Sequence, residues 1–311
     1  KSSVVTWIWS LVCLTLLGLL AYNARMGAVS PRIANPEVSG VPRPVEFLFG
    51  ADYPIYTMQL GCLIMMLIII GVCAWVWRRQ PGHPYILMTI ASTAIVWQDP
   101  IMNWAPYAVY NPQLWHLPED WFLAKISPTV EPFVVIGYAS FYFIVPFFTS
   151  TWVLRRLQSR APLDAFVWRH PLVSLGVLLF GIGFTFDAML EMTRRDIRHL
   201  AVLEIFSVHA GLYIYSQVLP WGSLFAGTTF QFPLIWESTM VTFVMIPAGI
   251  LCYRDDTGRC MAEKLAQRLR MFQTRPTLAT FLVMFAILNV AYFMYGAGFG
   301  AIRASGLATA V

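Results

Sequence analysis

An aspartate and an asparagine four residues apart, Asp99 and Asn103, interrupt an apolar run, with Pro100 between them and Trp104 just behind. Four residues is about one helical turn, so the amide stands beside the carboxyl and can orient its proton. An ionisable side chain inside a membrane-length apolar segment costs free energy and is read as a functional candidate. Its structural alternative is an aspartate bonded to the backbone that Pro100 frees. Asp187 and Glu191 repeat the spacing of four, and His209, Tyr213 and Gln217 recur at that spacing as a polar stripe along the apolar stretch Leu200 to Phe225. Glu131, Glu204 and Glu237 each stand near the start of a further apolar segment, with Gln231 shortly before the last of them. Glu119 and Asp120 lie in the long connection Ala105 to Val130.

Carboxyls, one histidine, tyrosines and amides make an acid-base toolkit. Burial favours a neutral, donating carboxyl, whereas an acid close to Arg194, Arg195 and Arg198, as Asp187 is, stays ionised and accepts. Such a pair suits proton-driven cyclisation or dehydration of a lipophilic, polyoxygenated substrate through an oxocarbenium ion. Aromatic faces can stabilise the cation, although aromatics at helical spacing serve equally as core packing. Asp99 is expected to transfer protons, Asp187 with Glu191 to form the complementary pair, and Glu237 and His209 to share that catalytic layer. Asn103, Trp104, Glu119, Asp120, Glu131, Glu204, Tyr213, Gln217 and Gln231 are expected to contact substrate.

Other chemistries lack their residues. His83, His116, His170, His199 and His209 are scattered, without the clustered boxes that a membrane di-iron centre needs. The cysteines show no metal-ligand spacing. Glycine-rich dinucleotide and phosphate loops are missing, as is a G-x-S-x-G elbow. No metal or cofactor is therefore expected.

The elements that must position these groups are membrane helices. With 58% hydrophobic and 12% charged residues, the 311-residue chain reads as all-α, one polytopic transmembrane bundle over residues 1–311. Apolar runs begin at Ser3, Ile55, Pro84, Glu131, Pro171, Leu200, Phe230 and Thr277, and Lys1 is expected to follow a further N-terminal tail. Pro84 to Trp104 is expected as one helix kinked after Asp99. The prolines of Arg25 to Pro54 forbid a regular helix there, and Arg254 to Arg275 is expected as an amphipathic cytoplasmic helix. The net charge of +5 sits in loops, which fits membrane orientation better than nucleic-acid binding. Placing the basic loops Arg78-Arg79, Arg155 to Arg169 and Arg254 to Arg275 inside, with the N-terminus cytoplasmic, leaves about seven to eight spans. The odd one, Leu203 to Phe225, is expected to turn back near Pro220-Trp221-Gly222. Asp99 and Asp187 then lie roughly 22 to 24 Å along their helices, in one outer layer with Glu131, Glu204, His209 and Glu237.

The stretch Trp97-Gln98-Asp99-Pro100 with Asn103-Trp104, the Phe186-Asp187 helix end, and Gln231-Phe232-Pro233 with Glu237 resemble the AveC-like spirocyclases, integral membrane proteins associated with avermectin-type spiroketal formation. That resemblance implies acid-base closure of a dihydroxy-ketone to a spiroketal, with dehydration as a companion activity and without metal or nucleotide. A bacterial plasma membrane, a lipophilic small-molecule substrate and membrane lipid as the other partner are expected, with no nucleic acid. Two other classes stay open. A lipid transporter or accessory subunit would use the acids to gate or bind protons, though no internal repeat supports it. Pro118-Glu119-Asp120 beside a membrane helix would suit an acid-catalysed isoprenoid cyclase.

Overall fold

The computed structural model describes residues 47–48, 51–52, 54–104, 108–118, 130–137, 144–192, 211–215, 217–228, 230–307 and 309–310. The expected first span, Ser3 to Asn23, and the loop carrying Glu119 and Asp120 lie outside them. After a small hairpin, β1 (Phe47–Leu48) with β2 (Ala51–Asp52), helix α1 runs from Pro54 to Arg79. It ends on Arg78 and Arg79, the basic residues a helix C-terminus favours.

The next apolar segment is broken rather than kinked. Helix α2 (Pro84–Ala94) gives way to a 3-10 turn (Ile95–Gln98) and then to α3 (Asp99–Trp104). Pro100 is the reason. It has no N–H for the carbonyl of Val96, and its ring would collide with that carbonyl. The Asp99 N–H takes Val96 O instead, tightening the ladder one residue early. The expected single helix is thereby corrected, and Asp99 starts a short new helix.

Helix α4 (Ile144–Gln158) packs on α5 (Pro171–Met192), with Phe147 and Leu154 meeting Leu175 and Leu179 in the core. Helix α6 (Leu234–Met240) continues through a π-helical segment, Val241–Met245, into α7 (Ile246–Cys252). Pro247 lies just beyond that bulge; without an N–H it cannot bond back to Phe243, and the Ile246 N–H reaches Val241 O. Helix α8 (Met261–Ala266) and a 3-10 turn (Arg270–Gln273) follow. The segment Arg254 to Arg275 is therefore not one amphipathic helix. It begins as a turn in which Arg254 bridges Cys260 and Asp255 pairs with Lys264.

The longest described helix, α9 (Pro276–Ala304), packs against α2, the Ile95–Gln98 turn, α6, the π segment and α8. Met284 and Leu288 of α9 are fully buried in this contact, as are Val241, Val244 and Met245 opposite.

Among the described residues three helices are long and apolar enough to cross a membrane: Ile55–Arg79, Leu234–Cys252 and Pro276–Gly298. Pro171–Thr185 is apolar but shorter. The broken α2–α3 stretch is not among them, so the described residues do not reach seven or eight crossings. Where it is described, the stretch expected as an apolar helix is two short strands followed by a 3-10 turn, Pro220–Gly222. Strand β3 (Ala108–Tyr110) pairs antiparallel with β4 (Tyr213–Tyr215), opposing Ala108 to Tyr215 and Tyr110 to Tyr213. Strand β5 (Gln217–Val218) pairs with β6 (Thr309–Ala310). Tyr213 and Gln217 thus sit on strands, which corrects the helical stripe. Tyr-Ile-Tyr is a β-favouring triplet, and a spacing of four also fits a strand.

Candidate functional site

The break at Pro100 presents Asp99 to two partners from distant parts of the chain. Its carboxyl is 5% exposed and is hydrogen bonded by Asn103, Glu131 and Tyr292. Asn103 Nδ2 donates to Asp99 Oδ2 at 2.8 Å and to Glu131 Oε1 at 3.1 Å, so one amide bridges both acids. That distance to Asp99 is the one-turn neighbour relation the spacing predicts.

Glu131 is delivered by backbone pairing. Leu117 N–H donates to Glu131 O at 2.9 Å and Phe133 N–H to Trp115 O at 2.8 Å, so residues 115–117 and 131–133 run as a short ladder. Gln59 of α1 accepts from Trp115 N–H at 2.7 Å and ties that ladder to the bundle. Tyr292 comes from α9, with Asp99, Glu131 and Glu237 all within electrostatic reach of its hydroxyl. Glu237, in the first turn of α6, is 4% exposed.

Two carboxyls hydrogen bonded to each other hold a proton between them, because two bare carboxylates have only acceptors to offer. The pair is therefore one acid and one base in contact.

A run of aromatic rings forms a wall that ends at Tyr292. Tyr110 and Tyr213 are 5.5 Å apart between ring centres, Tyr213 and Tyr215 5.4 Å, and Tyr215 and Trp236 5.0 Å. Trp236 meets Tyr295 at 6.0 Å, and Tyr295 meets Tyr292 at 5.7 Å. All six rings are buried or nearly so. Tyr213 therefore belongs to the wall.

Of the residues singled out in the sequence, Asp99, Asn103, Glu131 and Glu237 come together. Gln231 stays beside the wall, its Nε2 donating to Tyr215 O at 2.6 Å and its Oε1 accepting from Gly227 N–H at 3.1 Å, so its amide holds the backbone of β4. Gln217 is half-buried opposite Ala310, within the β5–β6 ladder. Asp187 and Glu191 lie on α5, and Trp104 ends α3, but their side chains are outside the described part of the structure, as are Glu119, Asp120, Glu204 and His209 entirely. Among the described residues Asp99 pairs with Glu131, and the expected pairing with Asp187 and Glu191 falls on side chains outside them. Tyr292 and Asn289 were missed because the last helix was searched for acids. Their signal was an amide and a phenol at i and i+3 on an otherwise apolar span.

A buried acid pair thus lies in a bundle of apolar helices, next to a run of buried aromatic rings. The spirocyclase AveC-like family matches residues 77–311. The chain belongs to the AveC-like spirocyclase family. The match takes in every element of the site from the Trp97-Gln98-Asp99 turn to Tyr292, and begins near the end of α1. No curated protein and no solved structure matches the chain.

Proposed function

We propose that this AveC-like protein is a cofactor-independent cyclase that closes a lipophilic keto-diol to a spiroketal, with Asp99 and Glu131 as its acid-base pair. The single observation that carries this reading is the contact between those two carboxyls, bridged by Asn103 and capped by Tyr292, at 4 to 5% exposure.

One substrate hydroxyl adds to the ketone to give a hemiketal. The protonated carboxyl of the pair gives its proton to the hemiketal hydroxyl, which leaves as water, and an oxocarbenium ion forms. The second chain hydroxyl attacks that carbon, and the ionised carboxyl takes its proton. The sum is keto-diol to spiroketal plus water, with the shared proton moved from one carboxyl to the other. Asn103 holds both acids in register through the step. The tyrosine and tryptophan faces of the wall favour the cation, and Glu237 lies within electrostatic reach of the Tyr292 hydroxyl. The cycle begins and ends with one proton on the pair. The protein is integral to a bacterial plasma membrane with its N-terminus inside, and the substrate enters from the lipid.

The test is spiroketal formation by the purified protein from an alkyl-tailed keto-diol, compared with Glu131→Gln. Gln keeps shape and hydrogen bonding but cannot carry the proton. A positioned acid or base is worth about 10² to 10⁴ in rate, and a loss in that range with unchanged folding is expected. Wild-type turnover in Glu131→Gln contradicts the pair.

A further inference from the structure

The turn that presents Asp99 is clamped to α9 by a small buried network. Trp97 Nε1 donates to Asn289 Oδ1 at 2.8 Å, and Gln98 Nε2 donates to Asn289 Oδ1 at 2.6 Å and to Asn289 O at 3.3 Å. Asn289 Nδ2 in turn donates to Phe285 O at 2.7 Å. Gln98 and Asn289 are both 0% exposed.

Each amide orientation follows from its neighbours. Trp97 offers only a donor, so the Asn289 atom facing it is the oxygen. The Gln98 atom facing Asn289 meets two oxygens, so it is the nitrogen. Flipping either amide would set acceptor against acceptor or donor against donor. The network therefore leaves one atom over, Gln98 Oε1, buried and without a hydrogen-bond partner among the described residues. An orphaned buried acceptor in a locked amide points to a donor that arrives from elsewhere. Asn289 precedes Tyr292 by about one turn on the same face of α9, and Gln98 precedes Asp99 directly in the chain, so the network and the acid pair are built on the same two segments.

We infer that Gln98 Oε1 is the acceptor for a substrate hydroxyl, with Asn289 and Trp97 as the residues that hold it in place. The inference rests on the cyclase reading for its substrate class, an aliphatic polyol ketone. A hydroxyl bound there is anchored by the residue that precedes Asp99 in the chain, and that anchor selects which oxygen attacks the oxocarbenium carbon.

The experiment is titration calorimetry in detergent micelles with two probes, an alkyl-tailed linear keto-diol and the matching keto-alcohol lacking one hydroxyl. One hydrogen bond corresponds to about tenfold in affinity, so wild-type protein is expected to prefer the diol by about tenfold. Gln98→Met is expected to bind the diol about tenfold more weakly and to lose the preference. Retention of the wild-type preference in Gln98→Met overturns the assignment. Wild-type protein that shows the preference but releases the diol unchanged keeps the Gln98 contact and sinks the cyclase reading. Absence of measurable binding to wild type overturns both. Should Gln98→Met fail to fold, an experimental structure of wild-type protein with the keto-diol decides: a ligand hydroxyl within hydrogen-bond distance of Gln98 Oε1 supports the assignment, and a water alone overturns it.

Discussion

Helices α1 and α9 are both long, apolar and of spanning length, with mean hydropathies of 2.5 and 2.0 over their membrane windows, yet they do opposite work. Only 6% of the α1 window is buried, against 28% of the α9 window. Helix α1 presents Leu67, Ile68, Ile70 and Val72 outward, each more than half exposed, as a lipid-facing helix should. Helix α9 carries Asn289 and Tyr292 into the site and lets α3 approach at Gly296. Hydropathy places both helices in the bilayer and cannot separate them. A few polar and small residues decide which one builds the site, since polar side chains inside a membrane must find protein partners.

The strongest way to sharpen this contrast is to strip each helix of one side chain. Asn289→Leu leaves the Trp97 indole N–H without its acceptor and Gln98 Nε2 with only its longer bond to the backbone oxygen of residue 289, and a stranded buried donor costs about 1 to 3 kcal/mol. A loss of roughly 2 to 4 kcal/mol is expected in a denaturation series, with the Asp99 turn loosened. Leu67→Ala on α1, where the side chain is 57% exposed, should stay within about 0.5 kcal/mol.

Glycines give the same contrast with opposite signs. A Cβ at Gly296 would stand 2.3 Å from Met102 Sδ, and Met102 is 2% exposed. Gly296→Ala therefore forces the thioether end of the buried Met102 into another rotamer and should destabilise by about 0.5 to 1.5 kcal/mol. A Cβ at Gly71 of α1 meets nothing within 4 Å. Gly71→Ala should stabilise by about 0.5 to 1 kcal/mol through helix propensity alone. Equal effects at the two positions, read as thermal midpoints, would erase the distinction.

The smallest effect lies at the joint between α1 and α2. His83 caps α2 by accepting from Tyr85 N–H through Nδ1 at 3.3 Å, so its folded form is neutral. Burial and then the charge of Arg254 hold its pKa below the ordinary 6.5, with Glu263 opposing. The unfolded chain binds this proton first, so stability is full above about pH 6.5 and declines as pH falls from there toward the depressed folded value. His83→Asn keeps a capping acceptor without the titration, and should flatten that part of the stability profile.

Legibility in the sequence followed the range of the interactions. The membrane class and the two long helices were readable because apolar length is a local property. The Asp99–Asn103 contact was readable because it spans one turn. Glu131 was visible as an acid, but its place beside Asp99 depends on the pairing of residues 115–117 with 131–133 and of Trp115 with Gln59, which no periodicity announces. Tyr213 and Gln217 were misplaced because a spacing of four does not distinguish a helix from strands. Tyr292 was passed over because its helix has no acid, although the partner of a buried acid is more often an amide or a phenol than another charge.

The central claim is that a proton held between Asp99 and Glu131 drives ring closure. Its most direct test is the rate of spiroketal formation from the keto-diol by folded Asp99→Asn. The pair then has one carboxyl instead of two, with the hydrogen bonds from Asn103 and Tyr292 still available. A fall of about 10² to 10⁴ relative to wild type, with an unchanged thermal midpoint, is the predicted result. Turnover close to wild type would contradict the account and leave Asp99 as a residue that only satisfies the helix break at Pro100.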